Sequence, residues 1–284
     1  MPSIEGRATS ADGTELLTLH WPAIDPWATV LLVHGLGEHS GRYEHVGAQL
    51  AAAGIDAYGF DNRGNGGSGG RPGHVDRWSQ YVDDLGERLE AVRLLAADRP
   101  VALYGHSLGG LIVTGYCLSD RPKPDLVVLS APGLDSTLPG WKKRLAPVLG
   151  RIVPTLAIPN GIDGSTLSRD PSVAARMADD PRCVGVSSAR FGAEALTEQV
   201  RVRAGVGRGL GVPTLVMHGS DDRLVPPSAS AGFEGAPQTT RRIYQGLRHE
   251  LHNEPEGSSV VKDVIDWLRA GGPGLGRGGR GRAP

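Results

Sequence analysis

The first half of the chain alternates between short, continuous apolar runs and segments with helical periodicity. The apolar runs are typical of strands buried on both faces and occur at 28–34, 55–60, 101–104 and 126–130, after an earlier strand predicted at 15–21. Segments with helical spacing lie between them, at 43–53, 78–97 and 108–118. Strands joined by helices predict an α/β fold, with a mostly parallel central sheet and helices on both faces.

The alternation stops near residue 132, where scattered prolines and short apolar stretches take its place. It returns with strands predicted at 214–218 and 241–244 and a closing helix at 258–268. We therefore predict a core formed by 1–131 and 212–270, with a lid inserted at 132–211. Residues 271–284 are rich in Gly, Arg and Pro, and we predict that they are disordered because they cannot bury a core.

The composition is that of an ordinary globular protein, with 39% hydrophobic residues and a formal net charge of -1. No basic block lies in the folded part, which argues against nucleic-acid binding. The N-terminus lacks the apolar segment of a secretory signal, and no apolar run is long enough to span a bilayer. We expect a cytoplasmic protein that contacts a membrane surface only transiently, through its lid. The sequence does not indicate an oligomeric state.

A candidate nucleophile lies between the strand at 101–104 and the helix at 108–118, in Gly105-His106-Ser107-Leu108-Gly109. G-x-S-x-G in this strand-to-helix context is typical of the nucleophile elbow of α/β-hydrolases, where a sharp turn exposes the serine hydroxyl. Glycines at both ends allow the neighbouring backbone to approach closely. The alternative, a glycine-rich turn with a capping serine, is disfavoured by the flanking strand and helix.

The acid and the base of a serine triad are expected after the nucleophile, in that order along the chain. The strand at 214–218 leads into two adjacent carboxylates, Asp221 and Asp222, of which only one can face the serine. We predict Asp222 as the acid, because its spacing from Gly219 resembles the acid turn of such hydrolases, and leave Asp221 as a turn or surface residue.

The base is predicted to be His249, which follows the strand at 241–244 by a short loop. His252, three residues later, is the alternative and is expected to pack or form hydrogen bonds near the site. The spacing of these histidines is not that of HExxH, and the two cysteines of the chain lie in no metal-binding pattern, so we predict neither a metal nor an organic cofactor.

Glycines follow the strand at 28–34 in the segment HGLGEHSGRY, at 34–43. They allow the amide of Leu36 to point into the site, where it and the amide of Leu108 would form an oxyanion hole for the tetrahedral intermediate. Loss of one such donor typically costs about 2.7–4 kcal/mol of transition-state stabilisation.

Several further segments resemble the monoglyceride lipases, a family of lysophospholipase-like serine hydrolases with the α/β-hydrolase fold. These are HGLGEHSGRY, the elbow GHSLGG, DNRGNGGSG at 61–69, LSRDP at 167–171, HGSDDRLVP at 218–226 and HELHNEPE at 249–256. The resemblance extends over about 5–269 and implies Ser107, Asp222 and His249 as the triad, Leu36 and Leu108 as oxyanion amides, and a monoacylglycerol as the lipid ester substrate. The chain departs from the family at Asn62 and Asn65, where histidines are usual, and in the details of the lid.

We therefore expect hydrolysis of a monoacylglycerol to glycerol and a fatty acid through an acyl-enzyme. The alternatives are a lysophospholipase or a broad-specificity carboxylesterase and, from another class, an inactive binding protein on the same scaffold. Gly35 and His106 are expected to contact the substrate. The apolar lid stretch is expected to line an acyl tunnel or, alternatively, only to pack the lid on the core; its candidate residues are Leu145, Ile152 and Ile158.

Overall fold

The structure is a computed structural model that describes residues 2–271. Its centre is an eight-stranded sheet with the order β1-β2-β4-β3-β5-β6-β9-β10. These strands are β1 (Ile4–Thr9), β2 (Glu15–Trp21), β3 (Ala28–Val33), β4 (Ile55–Phe60), β5 (Val101–His106), β6 (Leu126–Ser130), β9 (Thr214–Gly219) and β10 (Thr239–Tyr244). Only β1 and β2 run antiparallel to their neighbours, so the sheet is mostly parallel, as predicted.

Helices cover both faces of this sheet. They are α1 (Glu44–Ala52), α2 (Ser79–Ala96), α3 (Leu108–Cys117), α4 (Gly140–Ile152), α5 (Pro171–Asp179), α6 (Ala189–Gly205) and α7 (Gly257–Arg269). One core cluster lies between the sheet and α1 and α7, and a second lies between the sheet and α2, α3 and part of α6. The central strands β3, β5 and β6 are buried along their whole length, which explains why their sequences are continuously apolar.

The segment between β6 and β9 contains α4, α5, α6 and a small antiparallel pair, β7 (Ala157–Pro159) with β8 (Val186–Ser188). The predicted boundaries assigned all of α6 to the lid. In the structure, however, Phe191 and Val202 of α6 join the core cluster of α2 and α3. Helix α6 is therefore the crossover that returns the chain to the parallel strand β9. Of the residues at 132–188, Leu134 belongs to this core cluster and the others lie outside it.

Two further differences from the sequence-based prediction concern the ends of the chain. Strand β1 was not predicted, because its side chains are mostly exposed and Ile4 is its one large apolar residue. The predicted disordered tail, 271–284, lies outside the described residues except for Gly271. Within the described part of the chain, no helix combines the length and the apolar character needed to cross a bilayer.

Candidate active site

Ser107 occupies the turn between β5 and α3, with φ of 50° and ψ of -113°. A positive φ is unfavourable for a residue with a side chain and persists only where the surroundings enforce it. The surroundings here are glycines. A Cβ on Gly109 would lie 2.0 Å from the carbonyl oxygen of Val33, and one on Gly105 would lie 2.7 Å from the carbonyl oxygen of Gly109. Strand β3 and helix α3 thus pack too closely for any other residue at Gly109.

His249 lies on the loop after β10 and is paired with Asp222. Its Nδ1 atom is 2.7 Å from Asp222 Oδ2, and both side chains are buried. The other carboxylate oxygen, Oδ1, accepts hydrogen bonds from the backbone amides of Leu224 (2.9 Å) and Val225 (3.0 Å). Asp221, in contrast, is exposed and accepts a hydrogen bond from the neighbouring Ser220 hydroxyl. The geometry therefore joins Asp222, and not Asp221, to His249.

The electrostatics of this pair suit an imidazole that accepts a proton. Burial lowers the pKa of His249, but the carboxylates of Asp222, Glu250 and Glu38 together outweigh burial and leave that pKa above its ordinary value of 6.5. Burial raises the pKa of Asp222, but the charge of His249 and several hydrogen bonds hold it well below the ordinary carboxyl value. Asp222 is therefore ionised at neutral pH and stabilises a protonated His249.

Ser107, His249, Leu36 and Leu108 line one cavity of about 340 Å³. The structure thus brings the predicted nucleophile, base and oxyanion residues to the same place, with Asp222 behind His249. Within residues 2–271, the amides of Leu36 and Leu108 donate to no protein acceptor. The amide of Leu108 is free because it begins a helix, where the first N–H groups have no partner in the preceding turn.

Glu38 holds the loop that carries Leu36, and sequence reasoning did not single it out. Its Oε1 atom accepts hydrogen bonds from the amide of Gly35 (2.6 Å) and the hydroxyl of Tyr43 (2.8 Å). Gly35 is adjacent to the nucleophile, since a Cβ placed on it would lie 3.2 Å from Ser107 Cβ. The buried carboxylate of Glu38 thereby fixes the backbone just before Leu36.

One end of the cavity is charged. Arg42 pairs with Glu38 (2.9 Å) and makes two hydrogen bonds to the carboxylate of Glu250, at 2.7 and 2.9 Å. All three side chains are at most one-tenth exposed. The motif HGLGEHSGRY contains two of these residues, but the third is 208 positions from Arg42, so the cluster could not be found from spacing.

The rest of the cavity is largely apolar. The structure does not place Leu145, Ile152 or Ile158 in its lining; all three are exposed. For Leu145 and Ile152 the reason is that α4 packs on α6 through the face that carries Gly150, so the opposite side of α4 points to solvent. Ile158 lies on β7, whose three residues are all exposed. The apolar lining comes instead from other segments, and its residues are Leu111, Leu138, Ile162, Leu167, Met177, Phe191, Ala195, Leu196, Leu224 and Val225.

Gly35 and His106, the other two positions expected to contact substrate, do line the cavity. Burial lowers the pKa of His106 to about 3, so its ring is neutral. Its Nδ1 atom is 3.1 Å from the carbonyl oxygen of Ser130. His252, the alternative base, does not line this cavity; its ring stacks on Tyr43 with centroids 4.8 Å apart.

Among the described residues, one group has the chemistry of metal ligands: His39, Asp180 and Cys183. His39 Nδ1 accepts a hydrogen bond from the amide of Gly41, so the proton of a neutral ring is on Nε2, which lies 2.8 Å from Asp180. Both ring nitrogens of His39 are thus engaged in hydrogen bonds within the protein.

The two asparagines that depart from the family pattern are buried. The amide nitrogen of the Asn62 side chain donates to the carbonyl oxygen of His34 (3.1 Å), and that of Asn65 donates to the carbonyl oxygen of Arg63 (3.1 Å). Both therefore keep the loop in place through local hydrogen bonds and lie outside the cavity that contains Ser107.

Comparison with known proteins agrees with this geometry. The family model for serine aminopeptidase S33 matches residues 24–256. The monoacylglycerol lipase of Mycolicibacterium smegmatis is 35% identical over 87% of this chain and 90% of its own length, and human monoglyceride lipase is 31% identical over 91% and 88%. The crystal structure of Paleococcus ferrophilus monoacylglycerol lipase superposes with a TM-score of 0.82 and 32% identity, covering 90% of this chain and 99% of that chain. The chain therefore belongs to the serine aminopeptidase S33 family and is a serine hydrolase of the α/β-hydrolase fold, in the monoglyceride lipase group.

Proposed function

We propose that this protein hydrolyses monoacylglycerols to glycerol and a free fatty acid. The observation that supports this most strongly is the shared cavity, whose lining combines Ser107 and His249 with the charged end and a wall of apolar side chains. An ester bond held at Ser107 would have its acyl chain along the apolar wall and its polar head group toward Arg42. The relatives named monoacylglycerol or monoglyceride lipase agree with this arrangement.

The reaction proceeds through an acyl-enzyme. His249 takes the proton of Ser107 as its Oγ atom attacks the ester carbonyl, and the amides of Leu36 and Leu108 bind the oxyanion. His249 then gives the proton to the departing glycerol oxygen. In the second half, His249 deprotonates a water molecule, which releases the fatty acid and restores Ser107. Throughout, Asp222 fixes the tautomer of His249 and stabilises its charged form.

The charged end of the cavity favours a neutral head group. Arg42 carries one positive charge and faces two carboxylates, Glu38 and Glu250, so the cluster has a net charge of about -1. A phosphate placed there would meet this negative charge, and the guanidinium that could bind it is already occupied. Glycerol hydroxyls, in contrast, can donate hydrogen bonds to carboxylates.

We therefore expect kcat/KM for 1-monooleoylglycerol to exceed that for oleoyl lysophosphatidic acid by about tenfold or more, since like-charge contacts of this kind cost at least about 1.4 kcal/mol. The measurement is fatty-acid release from both lipids in the same detergent micelles, with Ser107→Ala as the blank. Lysophosphatidylcholine and p-nitrophenyl butyrate, included in parallel, identify a lysophospholipase or a broad carboxylesterase. A preference for the anionic lipid would contradict the proposed substrate.

We also propose that 132–188 forms a lid that rests on membranes. Helix α4 exposes apolar residues along one side, at Trp141, Leu145, Val148 and Ile152, which are 42–72% exposed. The spacing of these residues places them on one face of the helix. The helix contains four basic residues and no acidic one. An exposed apolar stripe with basic neighbours fits the surface of an anionic bilayer, into which the apolar side chains would insert.

The double variant Trp141→Glu/Ile152→Glu is expected to bind vesicles of phosphatidylglycerol and phosphatidylcholine at least about tenfold more weakly than the parent, because two apolar side chains no longer insert. Sedimentation with vesicles measures this. Hydrolysis of p-nitrophenyl butyrate in solution should be unchanged. Leu94→Glu is the matched control, since Leu94 is 80% exposed on α2, outside the lid. Equal vesicle binding by the double variant and the control would exclude α4 as the docking surface.

A further inference from the structure

Asp222 is in contact with a second imidazole besides His249. His218, the penultimate residue of β9, is fully buried, and its Nε2 atom lies 3.2 Å from Asp222 Oδ2 and 2.9 Å from the carbonyl oxygen of Val225. His218 does not line the cavity and cannot touch a substrate there. The mechanism described above gives this buried, titratable side chain no role.

The neighbours of His218 determine where its proton lies. Both atoms near Nε2, the carboxylate of Asp222 and the carbonyl of Val225, can only accept hydrogen bonds, so Nε2 carries a hydrogen. The other nitrogen, Nδ1, is 3.1 Å from the hydroxyl of Ser230, which can donate either to it or to the carbonyl oxygen of Pro227, also at 3.1 Å. Ser230 in turn accepts a hydrogen bond from Arg241 Nε on β10. A series of polar contacts thus runs from Arg241 through Ser230 and His218 to the carboxylate.

The carboxylate of Asp222 accepts three hydrogen bonds and has a fourth N–H group, that of His218, in close contact at 3.2 Å. Oδ1 has the amides of Leu224 and Val225, and Oδ2 lies between the rings of His249 and His218. Every donor takes up part of the negative charge of the carboxylate. The negative charge of Asp222 that acts on His249 therefore depends on how strongly the Nε2–H of His218 interacts with Oδ2.

We propose that His218 is a positioning residue for the catalytic acid, whose Nε2–H holds Asp222 Oδ2 beside His249 and takes up part of its negative charge. The proposal rests on the proposed function of Asp222 and His249. His218 acts only through Asp222, as a fourth member behind the triad.

The sign of the expected effect follows from the contacts. His249 is also faced by His106 from β5, by Glu250 from its own loop and, further away, by Glu38 from the loop after β3. These groups stay in place when His218 is replaced. The amides on Oδ1 still hold the carboxylate, while Oδ2, with one donor fewer, bears more negative charge. A more negative partner favours the protonated form of His249, so the pKa of His249 should rise.

The test is the pH profile of kcat/KM for p-nitrophenyl butyrate between about pH 5 and pH 9, which reports the base of the free enzyme. In the parent, activity should fall on acidification with an apparent pKa above 6.5, as the structure gives for His249. In His218→Leu, this acid limb should move up by about half a unit to one unit. Activity near pH 6 then falls about three- to tenfold, while the alkaline plateau changes little.

His218→Gln should return the profile to that of the parent, because the glutamine amide can supply an N–H near the position of Nε2. His20→Leu is the control for loss of a histidine, since His20 lies on β2 and pairs with Asp56. If His218→Leu does not fold, Ser230→Ala takes its place: it removes the partner of Nδ1 and should move the acid limb in the same direction.

Two outcomes would overturn the proposal, because either would show that His218 only fills space. One is a loss of activity that is equal at every pH, and the other is a pH profile of His218→Gln that is no closer to the parent than that of His218→Leu. An unmoved acid limb in Ser230→Ala, should the leucine variant not fold, would overturn it too. The proposed triad is tested separately. If Asp222→Asn retains full activity, the proposed triad is wrong. If Asp222→Asn is inactive but the acid limb of the pH profile does not move in the His218 variants, the triad stands and only the proposed role of His218 is wrong.

Discussion

Ser107→Ala is expected to lower the turnover of monooleoylglycerol by about 10⁴- to 10⁶-fold, because it removes the hydroxyl that forms the acyl-enzyme. The cavity, the oxyanion amides and His249 remain, so a small rate above that in water should persist. Covalent labelling by a fluorophosphonate probe should be lost completely. Alanine at this position removes only the hydroxyl, and thermal unfolding should show that the variant remains folded.

Ser136→Ala is the matched control for Ser107→Ala. Ser136 also lines the cavity but lies outside the elbow, in a segment that does not force its backbone to a positive φ. This variant should be labelled at the parental rate, within about threefold. Labelling that survives in Ser107→Ala would place the nucleophile elsewhere and remove the basis of the proposed mechanism.

Asp222→Asn is expected to lower kcat by about 10⁴-fold, the loss typical of a triad in which an amide replaces the acid. The structural reason is that an asparagine cannot stabilise a protonated His249 and can hold its ring in the wrong tautomer. Asp221→Asn should retain kcat within about twofold, since Asp221 is exposed and contacts only Ser220 among side chains. Steady-state kinetics on the two variants, prepared in parallel, provide the measurement.

The two adjacent carboxylates make this comparison unusually direct, because both variants have the same change in charge and composition. The loss of one negative charge is common to both variants and cannot explain a difference between them, and thermal unfolding of each variant separates loss of catalysis from loss of stability. If Asp221→Asn were the inactive variant, the loop after β9 would have to rearrange in solution so that the other carboxylate reached His249. That result would contradict the geometry described above.

The central sheet could be predicted because its strands are buried on both faces and therefore read as uninterrupted apolar runs. Strand β1 could not be predicted, since an exposed edge strand is defined by its hydrogen bonds to β2 and not by its side chains. The crossover role of α6 was also missed. Its sequence carries an apolar pattern, but that pattern does not reveal which of two neighbouring cores the helix joins.

For the site, motifs led to the prediction of Ser107, Asp222 and His249, and the structure pairs Asp222 with His249 and puts His249 in one cavity with Ser107. The motifs also contain Glu38 and His218, but their spacing does not reveal that Glu38 accepts the amide of Gly35 or that His218 lies 3.2 Å from Asp222. Nor could they identify the acyl wall. An amphipathic helix such as α4 has one apolar face in its sequence, but only packing on α6 decides that this face points to solvent.

The position of α6 has a consequence for how this enzyme can diversify. The helix supplies Phe191 to the cavity wall and, with the same side chain, to the core beneath the sheet. A substitution of Phe191 must preserve both the cavity wall and the packing of the core, so we expect the sequence of this part of the pocket to change slowly. The cavity-lining side chains of 132–188 do not also belong to the core cluster beneath the sheet. We therefore expect new ester preferences to arise most easily through substitutions in this segment, which leave the catalytic residues unchanged.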